Sequence, residues 1–141
     1  MRLKDDRGAA VVEMTIVGII LIFLLLGIIA YGFLMAFRQN LVQAAAEGAR
    51  RGAVEDSTGA PGAALAGAKD AVHAFGYDCD TTPGMTCTAV VTTCVNKSTA
   101  QCVTVRLNYD YSGHPLLPSL PFVDQFLPNN ITTQSVAEIN S

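Results

Sequence analysis

The chain has 141 residues, of which 50% are apolar and only 15% are charged, and its formal net charge is −3. This length leaves room for one small domain plus a membrane segment and excludes two full domains. The weak negative charge provides no basic surface for nucleic acid, so we expect no nucleic-acid partner. Charged residues are absent from one long stretch near the N-terminus, and the chain is organised around it.

A short charged leader, residues 1–8, precedes the small residues Ala9 and Ala10. Glu13 follows one helical turn after Ala9, directly before the apolar stretch. A carboxylate deep in a bilayer costs about 2.5 kcal/mol or more, so such a group normally has a partner. Two interpretations are open. Either Glu13 lies at the level of the lipid headgroups, or cleavage after Gly8 creates an α-amine that pairs with it.

The apolar stretch, residues 14–37, contains no charged residue. As a helix it would be about 36 Å long, enough to cross a hydrocarbon core of about 30 Å with some tilt. The apolar core of a cleaved secretory signal is only about 7–15 residues long, which favours a permanent span. Basic residues are equally frequent on the two flanks, so the flanking charge does not orient the span.

Small residues recur at every fourth position beyond the apolar stretch, forming two adjacent ridges made by Ala44, Gly48 and Gly52 and by Ala45 and Ala49. Such ridges suit close helix packing. They predict that the helix continues as an exposed rod over residues 38–54, so that the N-terminal helix covers residues 9–54. The rod could serve lateral assembly or act as a simple stalk.

Residues 55–61 are rich in turn formers and predict a linker. A short helix is then expected over residues 62–75, with Gly76 as its C-cap. The apolar face predicted for this helix consists of Leu65, Ala68, Val72 and Phe75.

Four cysteines follow within a short stretch: Cys79, Cys87, Cys94 and Cys102. Zinc sites usually have paired ligands at CxxC-like spacing, which is lacking here. An even number of cysteines in a small domain beyond a membrane favours disulfides instead. Disulfides in turn place this domain on the oxidising, non-cytoplasmic side, with the leader in the cytoplasm.

The cysteines lie in a predicted hairpin over residues 86–111, whose second strand alternates apolar and polar side chains. Of three possible pairings, the hairpin favours Cys94–Cys102 and Cys79–Cys87. A proline-punctuated loop over residues 112–128 and a last strand over residues 131–139 complete a globular head of residues 62–141. The predicted fold class is α+β: a long N-terminal helix that carries a small disulfide-stapled antiparallel sheet.

The start of the chain resembles a known family. The sequence GAAVVE from Gly8 to Glu13, followed by a long apolar run, resembles the processing site of type IV prepilins. More narrowly, residues 7–54 resemble the N-terminus of TadE-like proteins, the pseudopilins or minor pilins of the Tad (Flp) pilus system. The chain departs from many relatives at Met14, where an aromatic residue is common, and at Val17-Gly18-Ile19, where a proline is common. The C-terminal region resembles the family more loosely.

The resemblance implies a structural subunit of a Tad/Flp pilus or of its assembly machinery, which supports adhesion and secretion. It implies cleavage between Gly8 and Ala9, and pairing of Glu13 with a new N-terminus during assembly. The implied partners are a prepilin peptidase, other pilin-like subunits, the inner-membrane platform of a Tad secretion system and the lipid bilayer. The implied location is the bacterial inner membrane and, after assembly, the cell surface or pilus.

The sequence contains no recognisable catalytic or phosphate-binding motif, so we expect a non-enzymatic protein without cofactor or metal. The alternative function is an uncleaved single-pass membrane protein whose extracytoplasmic head binds a partner.

Overall fold

The computed structural model describes residues 6–95, 97–116 and 127–139. It contains two helices and three strands, which are α1 (Asp6–Gly52), α2 (Ala60–Ala74), β1 (Met85–Cys94), β2 (Lys97–Asp110) and β3 (Asn130–Glu138). The predicted α+β class, with a long N-terminal helix and a small antiparallel sheet, is confirmed. The chain divides into two compact units, Met1–Met35 and Ala36–Ser141. We call the second of these the head unit.

Helix α1 begins at Asp6 and ends at Gly52, whereas residues 9–54 were predicted. The earlier start has a simple cause: of residues 6–8 only Gly8 strongly disfavours a helix, at about 1 kcal/mol relative to alanine. After Gly52 the chain turns, and the Asp56 carboxylate accepts hydrogen bonds from the backbone N–H groups of Thr58 and Gly59. These side-chain-to-backbone hydrogen bonds form a turn in the segment between α1 and α2.

Helix α2 begins at Ala60, so Pro61 belongs to its first turn and not to the linker. Proline is well suited to this place because the N–H that it lacks would have no partner inside the helix. The helix ends in a Schellman motif around Gly76, whose φ is +84°. The N–H of Gly76 donates to the carbonyl of His73, and the N–H of Tyr77 donates to the carbonyl of Val72.

The buried face of α2 agrees with the predicted one at Ala68 and Val72 and differs at its other positions. It consists of Ala60, Ala64, Gly67, Ala68 and Val72. Leu65 is only partly buried, and Phe75 remains 39% exposed. Small residues form most of this buried face because alanine and glycine allow the α2 backbone to lie close to α1.

The sheet has the order β1-β2-β3, and both strand pairs are antiparallel. Alternate residues of the central strand β2 point into the core, as predicted: Val103, Val105 and Leu107 are fully buried. The opposite face of the sheet is largely exposed. Most of the predicted proline-punctuated loop, residues 117–126, lies outside the described residues, as do residues 1–5 of the leader.

Contacts inside the head unit define two ends along α1. At one end Gly52 lies against Ala60 and Val103. At the other end Phe37 packs against Tyr77 and Tyr109. Both α2 and β2 therefore run antiparallel to the second part of α1. The two ends, which we call the Gly52 end and the Phe37 end, are about 22 Å apart at 1.5 Å per helical residue.

Candidate functional site

The first candidate site is the N-terminal part of α1, where Gly8, Ala9 and Glu13 lie on one face of the helix. A shallow depression on this face is lined by these three residues together with Val12, Ile16 and Val17. Residues four apart share a helix face, so the backbone N of Ala9 and the Glu13 side chain are separated by one turn. The predicted processing residues and the predicted pairing carboxylate are thus adjacent.

Glu13 is exposed, and its neighbours on the helix are exposed apolar side chains such as Val12 and Met14. Among the side chains that the structure describes, no cation lies within ion-pair distance of Glu13. The nearby hydroxyl of Thr15 donates to the carbonyl of Val11, four residues earlier in the same helix. Glu13 is therefore available to a group from outside the described chain.

The apolar surface of α1 continues well beyond Glu13. Large apolar side chains between Val11 and Phe33 are 36% to 75% exposed, a degree that is unusual for a folded soluble surface. Helix α1 is long and apolar enough to cross a membrane, judged by its length and composition. This one apolar helix fits a single-pass membrane protein.

The second candidate site is the small-residue ridge of the rod, and the structure places it inside the head unit. Ala44, Ala45 and Ala49 are buried, with at most 2% of their surface exposed. Gly48 and Gly52 face α2 so closely that a Cβ added to Gly48 would lie 2.6 Å from the carbonyl oxygen of Ala64. In the isolated chain Gly48 and Gly52 of the ridge are therefore covered by α2.

A charged cluster borders this helix pair. The Glu47 carboxylate accepts hydrogen bonds from Arg50 and Arg51, each at 3.0 Å, and Arg51 also donates to Asp70 on α2 at 2.7 Å. Hydrogen bonds from Arg50, which has the larger effect, and from Arg51 lower the pKa of the Glu47 carboxyl. The aliphatic part of Arg51 lies over Gly67, which has no side chain to obstruct it. These exposed groups orient α2 on α1 more than they stabilise it.

Two disulfides account for all four cysteines, and their pairing agrees with the hairpin prediction. Cys94 is bonded to Cys102, and Cys79 is bonded to Cys87. The Cys94–Cys102 bridge closes the turn end of the β1–β2 hairpin. The Cys79–Cys87 bridge ties the chain after α2 to the start of β1. Among the described residues, no group of three or more potential ligands is placed to hold a metal ion.

An aromatic cluster at the Phe37 end was not predicted. The ring of Phe37 packs edge-on against the rings of Tyr77 and Tyr109, with centroids 5.0 and 5.2 Å away. The Tyr109 hydroxyl donates to the carbonyl of His114 at 2.7 Å, and burial raises the pKa of Tyr109. The one sequence signal was that Phe37 is the last apolar residue before Arg38. Its partners are too distant in sequence to be recognised from spacing.

A family model described as TadE-like protein matches residues 8–50. No curated protein and no solved structure matches the chain. The matched region begins at Gly8 and ends inside α1, so it covers the candidate processing site, the apolar stretch and most of the rod. This similarity suggests a Tad pilus-associated protein with an apolar N-terminal helix. Residues 8–50 are thus a TadE-like segment.

Proposed function

We propose that this protein is a structural pilin-like subunit of a Tad/Flp pilus or of its assembly machinery. It is inserted in the inner membrane through residues 14–37, cleaved between Gly8 and Ala9, and assembled through its N-terminal helix. In that role it supports adhesion and secretion. The observation that carries the proposal is the common helix face of Gly8, Ala9 and Glu13 within an exposed apolar helix that is TadE-like in sequence.

Cleavage after Gly8 converts the backbone N of Ala9 into a charged α-amine. The Glu13 carboxylate, one turn away on the same face, is the acidic group nearest to Ala9 in the sequence that remains after cleavage. In a low-dielectric environment an isolated charge is expensive, whereas a paired one is tolerated. The pair can form within one subunit or between neighbours. Between neighbours it would give each incoming subunit a defined axial position.

The peptide bond to be cut lies inside the first turns of α1, which begins at Asp6. A helical peptide bond has to unwind before a peptidase can bind it in an extended form. Gly8 lowers the cost of this opening, because glycine is a poor helix former and its N–H and C=O lie close to the helix start. The glycine is therefore suited to the processing site by its backbone as well as by its size.

The structure also restricts which surface is free for assembly. Within the small-residue ridge, Gly48 and Gly52 are covered by α2 and Ala44 is buried, so the ridge is proposed to hold the head unit on its own helix. The large exposed side chains between Val11 and Phe33 remain available. We therefore assign lateral assembly to this apolar part of α1 and not to the rod.

The disulfides support an extracytoplasmic head, because structural disulfides persist in oxidising compartments. This orientation leaves the leader in the cytoplasm. The proposed partners are a prepilin peptidase, other pilin-like subunits and the inner-membrane platform of a Tad secretion system.

The test of processing is the intact mass of the chain purified from membranes of a host that expresses a prepilin peptidase. Loss of residues 1–8, with Ala9 as the new N-terminus, is expected. A Gly8→Asp variant is expected to keep its leader. The matched control is Gly62→Asp, the same change at an exposed glycine that has no neighbour within 4 Å of an added Cβ. An intact leader on the unaltered chain would contradict processing and favour an uncleaved single-pass protein with a partner-binding head.

A further inference from the structure

The two edges of the sheet carry backbone groups that the described part of the head unit leaves unpaired. In the order β1-β2-β3, only β2 has a neighbouring strand on both sides. The described backbone forms no hydrogen bond to the outer side of β3 or to the outer side of β1 over residues 87–93. A row of free N–H and C=O groups at a sheet edge is able to bind a further strand.

The hydrogen bonds at the ends of the strands show which residues form these free edges. The N–H of Ile139 donates to the carbonyl of Gln101, so the odd-numbered residues of β3 face β2. The N–H of Asp110 donates to the carbonyl of Gly84, so the even-numbered residues of β1 face β2. Backbone groups alternate in direction along a strand. The free edges are therefore formed by the even-numbered residues of β3 and the odd-numbered residues of β1.

Both edge strands largely lack the features that usually keep a sheet edge from pairing. Exposed edges are commonly protected by lysine, by proline or by a bulge. Strand β1 contains no charged residue and no proline, and its one irregularity lies at its end, between Thr93 and Cys94. Strand β3 contains no proline and one charged residue, Glu138, which pairs with Lys97 at 2.8 Å. Both edges are thus chemically able to accept a strand.

The exposed face of the sheet provides a second observation. Val90 on β1 and Val136 on β3 lie opposite the same residue of β2, Thr104. The two valines are 51% and 55% exposed, and they are the exposed large apolar side chains of the described strands. They therefore lie in one row, at opposite edges of the sheet. A second copy placed beside the first in the same orientation brings Val136 of one copy next to Val90 of the other.

The other neighbours in this arrangement are compatible with one another. Gln134 comes to lie beside Thr88 of the next copy, because both occupy the row of Arg106. Glu138 comes to lie beside the uncharged Thr92, so no like charges face each other. Strands β1 and β3 run in the same direction, since both are antiparallel to β2. The new strand pair is therefore parallel and continues the sheet as a mixed sheet.

A two-fold pairing of β3 with β3 is the main alternative arrangement of two copies. Centred on Gln134, which uses the whole strand, it places Val136 opposite Thr132, so that the exposed valines do not meet. It also ends after two copies, because a two-fold interface is self-complementary. A contact between the unlike edges β3 and β1 leaves one edge free on each side. Such a contact can repeat, as a subunit of a pilus requires.

We propose that the heads of neighbouring copies join edge to edge, with β3 of one copy adding in parallel to β1 of the next and Val136 covering Val90. The occupant of each edge is a second copy of this chain. This contact rests on the proposed function as an assembly subunit, and it adds a defined contact between heads to the assembly through α1.

Engineered cysteines test this register, because the native cysteines are all bonded in pairs. Thr88→Cys and Gln134→Cys, combined in one chain, would face each other between copies at about 5 Å, within reach of a disulfide. Inside one chain they are two strand spacings apart, about 10 Å, which is too far for a bridge. Thr88→Cys with Asn130→Cys is the matched control, because these cysteines would be four residues, or about 13 Å, out of register.

The proteins are produced in cells with a functional Tad system, and assemblies are sedimented and analysed on non-reducing gels. The Thr88→Cys/Gln134→Cys chain is expected to form a ladder of cross-linked oligomers that reduction removes. The control pair and both single variants are expected to remain monomeric on the gel. Cross-linked dimers of Gln134→Cys alone would indicate two-fold β3 pairing and overturn the proposal.

Sedimentation separates the failure of this contact from the failure of the proposed function. If the Thr88→Cys/Gln134→Cys chain sediments as an assembly without cross-links, the edge contact is refuted and the proposed function stands. If the unaltered chain does not sediment as an assembly, the proposed function fails and the edge contact fails with it.

A charge in the valine row tests the contact itself. Val136→Asp, added to the Thr88→Cys/Gln134→Cys chain, is expected to remove most of the ladder, because a carboxylate would be buried against Val90 without a partner. Val95→Asp is the matched control, because it places the same change at the fully exposed hairpin turn. Thermal unfolding checks that both variants keep a folded head. A ladder as strong with Val136→Asp as with Val95→Asp would overturn the assigned register.

Discussion

Gly48 on α1 and Ala64 on α2 lie so close that a Cβ on Gly48 would be 2.6 Å from the Ala64 carbonyl oxygen and 2.9 Å from the Ala68 Cβ. The first contact involves backbone, which has little freedom to yield. The two helices of the head unit are thus held together at a point where only glycine fits. This contact uses the ridge that the sequence alone leaves open to assembly with other subunits.

Gly48→Ala is expected to destabilise the head unit by about 1–3 kcal/mol, because the added methyl group forces α2 away from α1. The matched control is Gly62→Ala on α2, where an added Cβ has no neighbour within 4 Å. That change should stabilise the protein by about 0.5–1 kcal/mol through helix propensity alone. Chemical unfolding in detergent, followed by circular dichroism, measures both. Equal effects of the two substitutions would contradict the close packing.

Gly76→Ala is expected to cost about 1–2 kcal/mol, because a residue with a Cβ is strained at a φ of +84°. Space is not the cause, since an added Cβ has no neighbour within 4 Å. Gly76→Asn should cost less, because asparagine tolerates the left-handed conformation better. The midpoint of thermal unfolding is expected to decrease from the unaltered chain to Gly76→Asn and then to Gly76→Ala. An alanine variant as stable as the unaltered chain would show that the Schellman turn is unimportant.

Asp110 makes the stability of the head unit sensitive to acid. Hydrogen bonds from the Gly113 N–H and the Ser112 hydroxyl hold the pKa of its carboxyl below the ordinary value of 3.8. A lowered pKa in the folded state means that the carboxylate contributes stability above about pH 4, and that this contribution is lost as the pH falls through the folded-state pKa. Unfolding midpoints should therefore decline on acidification below pH 4, and the decline should be smaller in Asp110→Asn. If the unfolding midpoints of the unaltered chain and of Asp110→Asn fall equally with decreasing pH, Asp110 is not the source of the acid sensitivity.

Removing either disulfide by a double Cys→Ala substitution is expected to cost about 2–3 kcal/mol, because each bridge restricts the unfolded chain over a short loop. Both bridges join cysteines eight positions apart, so loop closure predicts nearly equal costs for Cys79–Cys87 and Cys94–Cys102. Urea unfolding of the two variants in parallel measures the costs. A large difference would show that native contacts at one bridge, and not loop entropy, dominate.

Glu13→Ala is expected to leave membrane insertion intact and to impair assembly, because the α-amine of Ala9 then has no carboxylate one turn away. Thr15→Ala is the matched control. Thr15 is also an exposed polar residue of the same helix segment, but its hydroxyl is already bonded to the Val11 carbonyl. Sedimentation of the assembled fraction from cells with a functional Tad system measures the outcome. Normal assembly of Glu13→Ala would remove the role proposed for this carboxylate.

Several features were predictable from the sequence because they depend on neighbours along the chain. The apolar run before Phe37 predicts a helix, and the alternation from Val103 to Leu107 predicts a strand with one buried face. The hairpin register brings Cys94 near Cys102, so their pairing also follows from local order. The family resemblance rests on the same N-terminal residues.

Other features were decided by tertiary structure. The sequence predicts an apolar face on α2 that includes Leu65 and Phe75, but the fold buries Ala60, Ala64 and Gly67 instead. Close backbone approach outweighs side-chain hydrophobicity there, and periodicity alone does not reveal which neighbour requires it.

The N-terminal helix itself is therefore determined by sequence: its apolar length, Gly8 and Glu13 are visible in one short stretch. What its second part contacts is determined by the fold. Phe37, Tyr77 and Tyr109 meet only because α2 and β2 both run antiparallel to the second part of α1, within the head unit. Contacts between residues so far apart depend on chain reversals, and no local pattern encodes their result.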